Sequence, residues 1–237
     1  MGKQSTVCHE HHYKDKDRHL VAVDSIIFGF DKKQLKILLI KRNFEPCRGE
    51  WSLMGGFLRK DESLDDAATR VLYKLTGLKD VYLEQLYTYS DLKRDPGARV
   101  ISTAYYALIN IEKYEEQLTH KYSAQWWDIN NYPDLIFDQN IMVAKALRRL
   151  QRKTKTQPIG FELLPEKFTI PQLQNLYEAI HQNKMDKRNF RKKLLSYDFL
   201  ERLEEKDKRN SKKGAYLYKF NEQKYKELVQ KGYGFEI

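Results

Sequence analysis

The sequence predicts an α+β protein in two parts, a sandwich of strands and helices followed by a small helical domain with a β-hairpin. In the first part, apolar runs of strand length are interrupted by only two long helical patterns, as in an α+β sandwich. In the second part, two helical patterns joined by a short turn precede two further strands. We divide the chain into domains 1–155 and 156–237, because Pro158 and Gly160 directly follow this boundary and break regular structure.

The first part begins with two apolar runs rich in Val, Ile and Leu, which predict buried strands over Leu20–Phe30 and Leu35–Ile40. A helix begins at Leu64, where apolar residues recur on one stripe, and Gly77 ends it. Two more strands and a second long helix are predicted over Val81–Tyr89, Val100–Ile111 and Gln139–Lys153. The spacing predicts that this second helix buries Ile141, Ala144 and Leu147.

The composition excludes several classes of protein. The 237 residues include 43 Lys+Arg and 33 Asp+Glu, a net charge of +10, and 32% of them are charged. No apolar run approaches the ~20 residues that cross a bilayer, so we expect a cytoplasmic protein without a membrane partner. Two cysteines, Cys8 and Cys47, are too few for a disulfide framework. Cys8 lies in the run CHEHH, which could bind a metal, but a polar N-terminus explains the run more simply, and we assign no metal site.

The second part has the pattern of a winged helix-turn-helix. Thr169 and Gln172 have capping-box spacing in front of an amphipathic helix. A four-residue turn leads to a second helix, which Asp186 caps and which turns Phe190 and Leu194 inward. Two strands follow, over Phe199–Glu205 and Ala215–Phe220, with a basic hairpin tip between them.

Basic residues crowd both of the elements with which a winged helix contacts DNA. An α-helix fits the major groove, where Arg or Lys pairs with guanine and Asn with adenine. Our candidates on the second helix are Lys187, Arg188, Asn189, Arg191 and Lys192. The candidates for phosphate contacts at the hairpin are Lys208, Arg209, Lys212 and Lys213. A single basic run would be explained as a solvated face, but two such runs on the two expected elements favour duplex operator DNA. An RNA-binding adaptor is a weaker alternative, because no sheet of exposed aromatics is predicted.

Residues Gly56 to Leu78 resemble the Nudix box, with Gly56, Glu62, Arg70, Gly77 and Leu78 in register. The resemblance implies an α/β/α sandwich with a mixed sheet, in which glutamate and arginine clamp the loop to the helix. It also implies three helical glutamates that hold a divalent metal against a substrate diphosphate. In this sequence those three positions are Val71, Lys74 and Leu75. We therefore expect a Nudix-like fold with no catalytic residues, no metal and no cofactor.

The rival interpretation is a Nudix hydrolase of a nucleoside diphosphate derivative. Asp65, Asp66 or Glu84 would then replace the lost metal ligands. Magnesium-dependent turnover would distinguish this enzyme from a protein that only binds its ligand.

Together the two parts resemble the NrtR-type family of Nudix-related transcriptional regulators, over residues 20 to 220. The most specific matches are the runs FELLP at Phe161–Pro165 and DKRNFRKKL at Asp186–Leu194. The run RDPGARVISTAY at Arg94–Tyr105 resembles the ADP-ribose-directed Nudix branch. The resemblance implies a homodimeric repressor whose effector is ADP-ribose or a pentose such as arabinose.

The sequence indicates the effector site only through polar or charged residues that interrupt or extend otherwise apolar elements. Asp24 is the one charge in an apolar strand, and Lys41 and Asn43 extend one side of the next strand. Around the former catalytic rim, the candidates are Arg59, Glu62 and Lys74. Ordinary structural roles compete for most of these positions, among them a strand-end charge at Lys41 and a loop clamp at Glu62. Asp24 is the strongest candidate, because it is the one charge in an otherwise apolar strand.

Overall fold

The structure is a computed structural model that describes residues 13, 15–114, 123–208, 213–232 and 234–236. Seven strands of the described residues form one mixed sheet: β1 (Leu20–Phe30), β2 (Leu35–Lys41), β3 (Trp51–Ser52), β4 (Met54–Phe57), β5 (Glu84–Tyr89), β6 (Val100–Asn110) and β7 (Ala124–Asp128). The main path of the sheet is β3-β2-β1-β6-β5, while β4 pairs with β1 and β7 with β2. β1 and β6 are parallel and the other pairs are antiparallel, which confirms the predicted mixed sheet.

Helices cover both faces of this sheet, as predicted for an α/β/α sandwich. They are α1 (Leu64–Thr76), the short α2 (Ile111–Tyr114) and α3 (Gln139–Thr156). Side chains alternate along β1, because successive residues of a strand point to opposite faces. Ile26 and Phe28 pack in the core that includes α3, whereas Val23 and Ile27 pack on the side of α1. This burial on both faces explains why β1 is apolar along most of its length.

The buried face of α3 differs from the predicted face. Ile141 is 60% exposed, Ala144 is also exposed, and Leu147 is only partly buried. The residues of α3 that enter the core are instead Met142, Val143, Ala146 and Leu150. Both sets recur at helical spacing, so the periodicity alone does not choose between them. The choice depends on the direction from which the sheet approaches the helix, which is a tertiary property.

The second part of the chain contains the expected winged helix-turn-helix. After a 3-10 turn at Phe161–Leu163, its elements are β8 (Phe168–Thr169), α4 (Ile170–His181), α5 (Lys187–Leu195), β9 (Leu200–Asp207), β10 (Ala215–Phe220) and α6 (Glu222–Gln230). Among the described residues, three strands pair in the order β8-β10-β9. Phe161 stacks on Phe220 with ring centroids 4.4 Å apart, and Phe199 packs edge-on against both rings. The sequence did not predict α6, which Asn221 caps by accepting a hydrogen bond from the Lys224 backbone.

The two parts pack against each other where α3 meets α4. Gln151 Nε2 donates a hydrogen bond to the Ile180 carbonyl at 2.9 Å, and Thr154 Oγ1 and His181 Nε2 are hydrogen-bonded at 2.9 Å. The predicted boundary at 155–156 lies in the last residues of α3 and stays a prediction. Across the described ranges, we found no helix with the length and apolar content needed to span a membrane.

Candidate ligand cavities and nucleic-acid interface

The loop before α1 is fixed by a charged clamp and a helix cap. Arg70 Nε donates to Glu62 Oε2 at 2.7 Å, and the Arg59 backbone amide donates to Glu62 Oε1 at 2.8 Å. Ser63 and Asp66 form a reciprocal capping box at the N-terminus of α1. The clamp that the Nudix resemblance implies is therefore present, and it orients α1 relative to β4.

Glu62 makes the stability of this loop depend on pH. The hydrogen bonds from Arg70 lower the pKa of Glu62 from 4.5 to about 2, and the Arg59 backbone amide acts in the same direction. A carboxylate whose pKa is lowered by folding stabilises the folded state above its unfolded pKa, and this contribution is lost as the pH falls through the folded pKa. We expect Glu62→Gln to reduce the slope of unfolding free energy against pH between pH 4.5 and 2. Urea titrations across this window measure the slope.

The control for this prediction is Glu50→Gln, which changes an exposed carboxylate with no side-chain hydrogen bond to a described residue. It should leave the slope unchanged. A Glu62→Gln slope equal to that of the parent chain would contradict the clamp.

Two glycines allow strand β4 to lie close to α1 on one face and to the side chain of Asp24 on β1. Gly55 pairs with Asp24 and Gly56 pairs with Val23. A Cβ added at Gly56 would lie 2.7 Å from Val71 Cγ2, and one at Gly55 would lie 2.7 Å from Asp24 Oδ1. Such distances are too short for carbon contacts, so a side chain at either position requires its neighbour to move.

We expect Gly56→Ala to lower the unfolding free energy by roughly 1–3 kcal/mol, the usual cost of overpacking. Adding Val71→Ala should recover part of that loss, because it removes the methyl groups that the new side chain meets. Chemical denaturation of both variants measures the coupling. Gly234→Ala, which meets no atom within 4 Å, is the matched control. A Gly56→Ala variant as stable as this control would contradict the close packing.

A cavity of about 420 Å³ lies between the end of β2, β4 and the exposed side of α1, and we call it the basic cavity. Three cations line it, Lys41, Arg70 and Lys74, and no described residue adds a carboxylate to its lining. Asn43 also borders it, so three of the predicted effector residues (Lys41, Asn43 and Lys74) lie around one space. Val71, Lys74 and Leu75, which occupy the positions of the Nudix metal ligands, all line its helical wall.

A second cavity, of about 260 Å³, contains Asp24 and is called the Asp24 cavity. It shares Gly55, Gly56, Phe44 and Phe57 with the basic cavity, so the two spaces adjoin. The two phenylalanines are 40% and 53% exposed and form the common wall. The combined space therefore has a basic half, an aromatic edge and a largely apolar half. The last half also contains Arg42 and Arg94 and the carboxyl groups of Asp24, Glu45 and Asp95.

Asp24 is 5% exposed and is held by polar partners from three elements. Its Oδ2 accepts from Ser102 Oγ at 2.6 Å, and its Oδ1 accepts from Gln139 Nε2 at 2.8 Å. Arg94 lies 3.7 Å from Asp24 and makes two hydrogen bonds to Asp138 at 2.8 and 3.0 Å. Burial raises the pKa of Asp24, although the hydrogen bond from Ser102 and the charge of Arg94 oppose the shift.

Sequence reasoning missed the partners of Asp24. Arg94 and Gln139 both line the Asp24 cavity, and both are buried. Arg94 is the first residue of the run that resembles the ADP-ribose-directed branch, and this position was the one signal in the sequence that could have marked it as a site residue. Gln139, as the first residue of α3, gave no comparable signal.

Two of the predicted effector residues lie outside both cavities. Arg59 is exposed and contributes its backbone amide to Glu62, while the Glu62 carboxylate is occupied by Arg70. Neither residue lines a cavity, and the part of both in effector binding stays a prediction. Their predicted part in effector binding has no support from the shape of the site.

The acidic residues considered as replacement metal ligands have other partners. Tyr105 donates to Asp65 at 2.6 Å, Asp66 belongs to the capping box, and Glu84 is paired with Lys153. None of the three lines the basic cavity. In the part of the chain that the structure describes, no group of three or more His, Cys, Asp or Glu is arranged to hold a metal ion. The run CHEHH lies outside the described residues.

The candidate nucleic-acid interface is the outer face of α5. Thr169 and Gln172 form the predicted capping box of α4, and Gln182 ends that helix in the left-handed conformation. Asp186 then caps α5 by accepting from the Asn189 amide at 2.7 Å. Phe190 and Leu194 are buried as predicted. The predicted contact residues on the other faces of the helix are all exposed, as are Lys193 and Leu195: Lys187, Arg188, Asn189, Arg191 and Lys192.

The cations of this face are available to a ligand. Lys187, Arg188, Arg191 and Lys192 form no ion pair with any described residue, whereas the neighbouring Lys193 lies 3.8 Å from Glu236. On the β9–β10 hairpin, Lys208 and Lys213 are exposed. The other two predicted hairpin cations, Arg209 and Lys212, lie outside the described residues. The interface is thus a strongly positive helix with a second positive element on the same small domain.

Family descriptions match both parts of the chain. Residues 18–149 match the NUDIX domain, and residues 160–220 match the NrtR DNA-binding winged helix domain. The chain is 36% identical over 210 residues to a protein of Acinetobacter baylyi (strain ATCC 33305 / BD413 / ADP1) named ADPR responsive transcriptional repressor NtrR. That match covers 87% of this chain and 84% of the Acinetobacter protein.

Two crystal structures resemble the fold. Shewanella oneidensis NrtR complexed with a 27mer DNA superposes with a TM-score of 0.77 at 28% identity, and the match covers 91% of this chain and 97% of that chain. The NUDIX domain of Shewanella oneidensis NrtR complexed with ADP ribose superposes with a TM-score of 0.51 at 30% identity. This second match covers 60% of this chain and 98% of that domain.

Proposed function

Since this chain belongs to the NrtR-type family, which joins a Nudix domain to a DNA-binding winged helix domain, we propose that it is an effector-responsive transcriptional repressor. The observation that carries the proposal is the outer face of α5, where four cations without ion pairs to described residues surround Asn189. Arg, Lys and Asn are the side chains that read base edges in the major groove. The similar Acinetobacter baylyi protein is named a transcriptional repressor, and the similar Shewanella oneidensis NrtR was crystallised with DNA.

The proposed effector is ADP-ribose. Two related proteins are described with this ligand, one in its name and one in its crystal structure. The adjoining cavities supply cations for a diphosphate, exposed phenylalanines for a base and buried polar groups for sugar hydroxyls. A neutral pentose uses only the last of these features, so we place arabinose second. We assign no hydrolase activity, because the three positions of the Nudix metal ligands hold Val71, Lys74 and Leu75.

The proposed regulator acts as a homodimer on a near-palindromic operator. Two recognition helices related by a two-fold axis contact half-sites about 34 Å apart, one turn of DNA, or a multiple of it. An effector that favours another arrangement of the two winged helices reduces affinity for that spacing.

The exposed hairpin lysines are proposed to contact phosphates. Replacing Lys208 and Lys213 with alanine should weaken specific and non-specific duplexes alike, since phosphates carry no sequence information. The slope of log Kd against log salt should fall by roughly 0.9 for each lost phosphate contact. Fluorescence polarisation at several salt concentrations measures it. Lys231→Ala, an exposed lysine at the end of α6, is the control. A loss confined to one DNA sequence would argue for base contacts instead.

The experiment that tests the function is a polarisation titration of the full chain with duplex DNA from its own upstream region. It is run at two salt concentrations, with ADP-ribose, with L-arabinose and with no ligand. We expect sequence-selective, salt-sensitive binding that ADP-ribose weakens. Preference for single-stranded RNA, or magnesium-dependent hydrolysis of ADP-ribose without DNA selectivity, would overturn the proposal.

A further inference from the structure

The residues around the basic cavity do not fit the metal that the Nudix fold implies. A divalent metal in this fold needs carboxylate oxygens on one face of α1. That face instead presents Val71, Lys74 and Leu75 to the cavity, two apolar groups and an ammonium group. A metal ion placed there would meet a like charge, and no carboxylate of a described residue lines the cavity to bind it.

The charge of the cavity has the opposite sign from that of a metal-binding site. Arg70 is the only lining cation whose charge is balanced by a described carboxylate, that of Glu62. Lys41 and Lys74 are exposed and form no ion pair with a described residue. Two ammonium groups without a carboxylate partner among the described residues therefore border one cavity of about 420 Å³, although Lys41 also lies over the ring of Trp51, 6.0 Å from its centroid. Such a space attracts a compact dianion, and a diphosphate has this charge.

We propose that Lys41 and Lys74 take over the electrostatic role of the metal, so that the basic cavity binds the diphosphate of the effector without a divalent cation. The inference rests on the proposed function, and it narrows the effector to an anionic, phosphate-containing compound. Ammonium groups donate charge-assisted hydrogen bonds directly to phosphate oxygens. They do not lower the pKa of a bound water as a metal ion does, and no carboxylate of a described residue lines the cavity to act as a base, so this cavity binds a diphosphate without cleaving it.

The shared aromatic wall agrees with the same ligand. Phe44 and Phe57 lie between the basic cavity and the Asp24 cavity, and both expose a large part of their rings. A flat base packs favourably on such rings. A diphosphate held by the lysines would thus have the aromatic wall beside it, and beyond that wall the Asp24 cavity for the rest of a nucleotide.

The test is calorimetric titration of the full chain with ADP-ribose, first with EDTA and then with magnesium. We expect the same Kd, within about twofold, in both buffers. Lys74→Glu should weaken binding by at least about 10-fold, since removing a charge-assisted hydrogen bond has an effect of this size. Lys74→Met, which removes the charge without reversing it, should give a smaller loss. Lys60→Glu is the control, because this exposed lysine makes the same charge change outside the cavity.

Unchanged DNA affinity without effector would show that each variant is folded. Binding that requires magnesium, or a Lys74→Glu variant with the affinity of the Lys60→Glu control, would overturn the metal-free diphosphate site and leave the proposed function intact. No binding of ADP-ribose in either buffer would instead overturn the proposed effector, and with it this inference.

Discussion

Replacing Arg188 and Asn189 together with alanine is expected to abolish the preference of this protein for its operator. Both side chains lie exposed on α5, opposite the buried Phe190 and Leu194. A bidentate contact to a base contributes about 1–3 kcal/mol of discrimination, so losing two of them should lower the specific-to-non-specific affinity ratio by roughly 30-fold or more. Non-specific affinity should fall much less, because most of the cations on α5 and the hairpin remain.

Competition polarisation with operator and scrambled duplexes measures the ratio. Lys193→Ala is the control on the same helix, since Lys193 lies next to Glu236 and outside the predicted contact set. An unchanged ratio in the double variant would mean that another face of the helix reads the bases. Circular dichroism checks that α5 still folds, which we expect because Asp186 and the two core residues are retained.

Replacing Asp24 with alanine is expected to remove the response to effector while DNA binding in its absence is retained. Asp24 joins β1 to Gln139 at the first turn of α3, and the last turns of α3 contact α4 through Gln151 and Thr154. The carboxyl group therefore lies at one end of a rigid helix whose other end packs on the DNA-binding domain. Helix α3 therefore connects the Asp24 cavity to the DNA-binding domain. The change in DNA affinity on addition of effector measures whether the two are coupled.

The readout is the ratio of DNA Kd values with and without ADP-ribose. Allosteric coupling typically changes affinity about 5- to 150-fold, and we expect the ratio to fall to about one in the variant. Alanine also leaves Ser102 and Gln139 without their acceptor, which costs stability, so Asp24→Asn is measured beside it. Asp61→Asn, which changes an exposed carboxylate of the same domain, is the control. An Asp24→Ala variant that keeps the full response would move the effector site elsewhere.

The sequence predicted the caps of α4 and α5 and the end of α1 correctly, because each is stabilised by contacts within a few residues. The capping box at Thr169 and Gln172, the cap at Asp186 and the left-handed Gly77 all appear where the spacing placed them. Each depends on a hydrogen bond or a backbone conformation that spans only a few residues. The positive face of α5 was predictable for the same reason, because burial of Phe190 and Leu194 fixes which side chains remain outside.

The residues that line the two cavities were predicted only in part, because they are far apart in the chain. Lys41, Asn43 and Lys74 border one cavity as the alternation and the Nudix register indicated. Nothing in a single sequence shows that Arg94 and Gln139 converge on Asp24, 70 and 115 residues from it. Arg59 and Glu62 were predicted in the same space, but neither lines either cavity, and Arg70 engages the Glu62 carboxylate.

The sequence by itself determined the two-part architecture and the basic face of α5, because these follow from periodicity, spacing and residue chemistry within short segments. Its resemblance to the Nudix box identified Val71, Lys74 and Leu75 as the positions of the lost metal ligands. Only the tertiary structure decided which face of α3 is buried, where Asp24 finds its partners and how the two cavities meet at Phe44 and Phe57. The physical reason is that helical spacing fits either face of α3, whereas burial depends on where the sheet and α4 lie.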